Sequence, residues 1–139
     1  MDVIQTENDK KKEYLRKYRK HGRKIKRIES EIEEIRSMKL YPSMNSDGMP
    51  HGSDQTDLSD YAAELTEKED KLYLEGVEQV KAYKDITYKI EQLKDETERD
   101  VLYYRYIKSK SWWEIAELMG YTERWVQELH GKALKHLKI

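Results

Sequence analysis

The 139 residues carry 27 Lys/Arg against 28 Asp/Glu, so 40% of the chain is charged, 37% is hydrophobic, and the net charge is −1. An apolar share below the roughly 45–50% of an average globular domain leaves room for one modest core, and favours extended helices over a compact α/β enzyme. The absence of cysteine excludes disulfides, thiol catalysis and thiolate zinc sites.

The charge is segregated along the chain. Eleven basic residues and one acid lie between Lys10 and Arg27, fifteen acids and seven bases between Asp54 and Asp100, and seven bases and four acids from Val101 to Ile139. A basic, then acidic, then mildly basic order implies a polyanion partner for the basic parts, or pairing of the first segment with the second.

The first periodic stretch sets Tyr14, Tyr18, His21, Ile25, Ile28, Ile32 and Ile35 at alternating steps of four and three, the spacing of a coiled-coil seam. A helix is expected from about Glu7 to Lys39. It should end there because Pro42 disfavours helical geometry at Tyr41. Gly22 interrupts the pattern at a cost of about 1 kcal/mol relative to Ala and marks a bend or a close helix contact. Residues 41–57 read as a polar loop containing both prolines, Gly48 and Gly52. Thr56, Asp57 or Ser59 could cap the next helix.

That second long helix is expected over about 58–93, with Leu58, Ala62, Leu65, Leu72, Tyr83, Ile86, Ile90 and Leu93 on one stripe and a break or stutter near Gly76. The two long helices form a hairpin, or pair between subunits as a homodimer. The periodicity does not choose between these.

Beyond residue 95 the pattern changes to short helices. Thr97–Ile107 reads as one helix. Ser111-Trp112-Trp113-Glu114 is a capping box that opens a second helix ending at Gly120, and Thr122 can cap a third running to about Leu137. Two helices around a short turn form a helix-turn-helix candidate. The unit needs a small residue where the helices cross, a turn residue tolerant of left-handed geometry and a branched apolar plug. Ala116, Gly120 and Val126 take those places.

With Val126, Leu129, Ala133 and Leu137 inward, the outward face of the third helix carries Arg124, Glu128, Gly131 and Lys135, flanked by Gln127, Trp125 and Lys132. In a DNA complex the early residues of such a helix reach base edges in the major groove. Arg124 suits guanine, Gln127 adenine, and Glu128 can accept from cytosine N4. Lys110, Thr122, Lys132 and Lys135 are phosphate candidates.

The stretches ERDVLYYRYI, SWWEIAELMGYTERWV and HGKALKHL resemble the C-terminal helix-turn-helix of sigma factors, their region four. The chain is still more similar to the ArpU/RinA-type late transcriptional regulators of phages of Gram-positive bacteria, a likeness that extends to GMPHGSDQTDLSDYAAEL. The resemblance implies a DNA-binding activator of phage late genes in the bacterial host cell, with a sigma-like reader whose Glu123, Arg124, Gln127 and Glu128 face bases; the helical part is expected to supply either dimerisation or a contact with host RNA polymerase.

No phosphate-cradling glycine motif, nucleophile elbow or metal-binding His pair is present. His51 with Asp47, Asp54 and Asp57 matches no defined metal spacing. No enzyme, metal or cofactor is therefore expected. No apolar run approaches the roughly 18 residues of a membrane span, and MDVIQTENDKKK has no signal-peptide core, so a soluble cytoplasmic protein is expected. The expected architecture is all-α, with a helical coiled-coil region over 1–95 and a helix-turn-helix DNA-binding domain over 96–139. Two other functions fit the same pattern, a small terminase subunit that recognises packaging DNA and a helical adaptor that binds only protein.

Overall fold

The computed structural model describes residues 3–39 and 54–139. Every regular element among them is a helix: α1 (Val3–Leu15), α2 (Lys17–Lys39), α3 (Asp54–Glu91), α4 (Glu96–Leu102), a π-helical turn (Tyr103–Ile107), α5 (Trp112–Met119) and α6 (Glu123–His136). The chain divides into two compact units, Met1–His21 with Gln79–Ile139, and Gly22–Glu78. The division falls inside α2 and α3.

The expected first helix is interrupted at Arg16 rather than at Gly22. The ladder continues across that point, because Arg16 N–H donates to the Lys12 carbonyl and Lys20 N–H to the Arg16 carbonyl at 2.9 and 3.0 Å. The helix α3 begins at Asp54, so residues 54–57 are helical and not loop, and Thr56, Asp57 and Ser59 lie inside the helix instead of capping it. The rest of the predicted loop, with His51 and Asp47, lies outside the described residues. No break occurs at Gly76, where a 38-residue helix carries the glycine's propensity cost through its many other turns.

Within the Gly22–Glu78 unit, Ile32 and Ile35 are buried and Ile25 and Ile28 half-buried. The α3 stripe on that side is Tyr61, Leu65, Lys68 and Leu72, so Leu65 and Leu72 lie on it as expected, whereas Leu58 and Ala62 are exposed. Lys68 and Arg36 bridge to Glu31 and Glu69, each at 2.9 Å. The Lys68 bond holds the Glu31 carboxyl below its ordinary value. These pairs join α2 to α3 within one chain.

In the other unit α1 runs antiparallel to the end of α3. Tyr14 bonds the Asp85 carboxylate, and the Tyr18 and Tyr83 rings meet tilted, with centroids 5.6 Å apart. Burial and then Asp85 push the Tyr14 hydroxyl above its ordinary pKa. Leu15, Ile86, Ile90, Leu93, Leu102, Tyr106, Ala133, Leu134 and Leu137 form one buried cluster. A second, of Val101, Ile115, Ala116, Val126 and Leu129, holds α4, α5 and α6 together. Lys11 fastens α1 to α6, donating to the Leu134 carbonyl at 2.7 Å, where the free carbonyls of a helix C-terminus favour a cation.

Candidate nucleic-acid interface

Local capping sets the three short helices. Asp95 caps α4 by accepting from Thr97 N–H and Glu98 N–H, and the bond from the Thr97 hydroxyl foremost lowers its carboxyl pKa. Ser111 and Glu114 exchange the two bonds of a capping box at the start of α5. At its end Gly120 takes φ 71°, ψ 32°, and its N–H donates to the Ala116 carbonyl. Thr122 caps α6 through Trp125 N–H at 3.1 Å. Ala116 is buried against α6 and Val126 is fully buried. The chain thus turns through Gly120-Tyr121-Thr122, and α6 is presented across α5.

The expected helix over 97–107 ends differently. After Leu102 the chain winds as a π-helical turn, in which Lys108 N–H bonds the Tyr103 carbonyl. The Arg105 carbonyl accepts from the Arg19 guanidinium at 2.7 Å, and the same guanidinium reaches the Ser109 hydroxyl at 3.1 Å. Ser109 itself has φ 56°. A side chain from α2 thus satisfies the groups that a regular helix end would leave to water.

Glu123, Arg124, Gln127 and Glu128 are all exposed on α6. Arg124 is 91% exposed and lies 3.5 Å from Glu128 as an i,i+4 pair, an interaction worth only about 0.3–0.5 kcal/mol and so readily given up to another partner. Lys132 sits over the Trp125 ring at 4.9 Å. Lys135 is exposed, and Lys110 lies 3.8 Å from Glu114. The Thr122 hydroxyl that accepts from Trp125 keeps its own proton to donate.

Two features that the sequence did not predict border this face. His130 is buried one turn beyond Val126. Its Nε2 meets the Tyr106 hydroxyl at 2.7 Å, and its ring stands edge-on to Trp112 at 4.8 Å. Burial, with Lys12, Arg105 and Arg16 nearby, pushes its pKa down to about 4, and burial raises that of Tyr106. The pair is therefore neutral at pH 7, and one hydrogen bond joins the hydroxyl to Nε2. Its inward position was available from the same helical step that set Val126 inward. The second feature is a concavity of about 460 Å³ bordered by Lys12, Arg16, Arg19, Arg105, Gln127 and His130. The run of bases in the sequence named the first three residues, but not where they sit.

A small residue at the crossing, a left-handed glycine and a buried branched plug between two capped helices define a helix-turn-helix unit. Residues 91–138 match the family described as Sigma-70, region 4, so this segment is a sigma-region-four-like helix-turn-helix, a class of DNA-binding rather than catalytic domain. No curated protein and no solved structure matches the chain. Among the described residues, no helix is long and apolar enough to cross a membrane.

Proposed function

We propose that this chain is a sequence-specific transcriptional regulator of the ArpU/RinA type that binds double-stranded DNA and activates phage late genes in the cytoplasm of the bacterial host. The observation that carries the reading is the sigma-region-four match over 91–138 on a unit whose α6 leaves Glu123, Arg124, Gln127 and Glu128 open to solvent. On this reading those four residues face base edges, and Lys110, Thr122, Lys132 and Lys135 face phosphates. The long helices supply a homodimer contact or a surface for host RNA polymerase.

Arg124→Ala tests the reader assignment. Loss of a bidentate guanine contact costs about 1–3 kcal/mol and relaxes preference at one position of the site. Binding-site selection from a random duplex library should show that single position flattened. An unchanged profile removes Arg124 from the reader set. Genome-wide mapping of bound sites should place peaks ahead of late genes, whereas peaks at a packaging site would favour the small terminase subunit. Failure to retard any duplex at low salt would reject DNA binding itself.

A further inference from the structure

The concavity beside α6 gathers four cations, Lys12, Arg16, Arg19 and Arg105, and among the described residues no carboxylate lines it. Two of the four are committed to the fold. Arg19 donates to the Arg105 carbonyl and to Ser109, and Arg105 donates to the Lys110 carbonyl and covers the Trp112 ring at 4.1 Å. Lys12 and Arg16 are different. Among the described residues neither side chain has a hydrogen bond or an ion pair, although acids are as abundant as bases in this chain. Like charges held together without counter-charge repel one another and raise the local potential for anions.

The place of the concavity identifies the anion. Gln127 forms part of its rim and lies one helical turn from Arg124 on the exposed side of α6. A helix lying in a major groove is flanked by the phosphates of both strands, and residues outside the reading helix commonly take those contacts. We propose that Lys12 and Arg16, backed by Arg19 and Arg105, form a phosphate clamp for the DNA strand that borders α6, so that α1 and the start of α2 are part of the DNA interface. The clamp rests on the DNA-binding reading above, and it lies largely outside the matched segment, since only Arg105 falls within 91–138.

Each phosphate neutralised contributes about −0.9 to the slope of log K against log salt. The full chain is therefore titrated with a mixed-sequence duplex of about three helical turns, at salt from roughly 50 to 200 mM. Wild type is compared with Lys12→Gln/Arg16→Gln and with Lys24→Gln/Lys26→Gln, a pair of exposed bases outside the clamp. The clamp variant should show a slope shallower by about 1.8 and bind more than tenfold more weakly at low salt, while the control pair changes little. A slope equal to wild type, or an equal loss in the control pair, overturns the clamp and leaves DNA binding standing. No duplex binding by wild type overturns both. Binding of inorganic phosphate by wild type, with the duplex slope unaltered in the clamp variant, assigns the concavity to free phosphate and rejects the DNA contact. A measurement on wild type alone guards against a misfolded variant. The ring resonances of His130, which borders the same concavity, should shift on saturation with the duplex, and their invariance rejects the clamp.

Discussion

His130 shows how a single buried polar side chain ties the stability of the reader to pH. Its folded pKa of about 4 lies below the ordinary 6.5, so between these values the unfolded chain binds a proton that the native protein refuses. Stability from this group is complete above about pH 6.5, falls as pH drops through the window, and is fully lost below about 4. The shift corresponds to roughly 3 kcal/mol. His130→Gln keeps a hydrogen-bonding partner for the Tyr106 hydroxyl but cannot titrate. Urea unfolding at a series of pH values should therefore show wild type losing stability between pH 6.5 and 4 by roughly this amount more than the variant does. Parallel curves would place the pH dependence elsewhere. The neutral pair also keeps a fifth positive charge out of the concavity lined by Lys12, Arg16, Arg19 and Arg105, so the same residue shapes the surface next to α6.

Elements were legible in the sequence to the degree that short-range interactions decide them. The capping box of α5 and the Thr122 cap of α6 each act over three residues, and both lie where the pattern Ser-x-x-Glu and the position of Thr122 place them. Gly120 is the sharpest case, because a φ of 71° is strained for any residue with a Cβ. An added methyl there meets nothing within 4 Å, so Gly120→Ala should cost only the backbone strain, about 1 kcal/mol. Denaturant titration should find a lower midpoint with an unchanged slope. A loss of several kcal/mol would mean that the turn rearranges. The π-helical turn was not legible, since its end depends on Arg19, which is 86 residues from the Arg105 carbonyl it caps. The phase of α3 was legible only in part. Lys68, Glu75 and Gln79 lie on its less exposed side, and polar residues at seam positions hide the apolar period that would set the register.

At the scale of the whole chain, part of the segregated basic run serves the packing of the C-terminal unit, where Lys11 caps α6 and Arg19 caps the π-helical turn. The bridges between α2 and α3 in the Gly22–Glu78 unit use Glu31, Lys68, Arg36 and Glu69, and none of these four lies in the Lys10–Arg27 run. Leu15 falls outside the seven-residue seam, so its role could not be read from the repeat, yet it is fully buried with Ile86, Ile90, Leu102 and Leu134. The helix-turn-helix therefore completes its core with residues far outside 96–139. Leu15→Ala should cost about 2–5 kcal/mol, a large share of the 5–15 kcal/mol typical of a whole domain. All three tryptophans, Trp112, Trp113 and Trp125, belong to α5 and α6, so tryptophan emission, excited selectively over tyrosine, reports the helix-turn-helix. Thermal unfolding followed by that signal should move to lower temperature in the variant. A tryptophan transition that stays in place would show that the reader folds without α1, as a boundary at 95/96 requires.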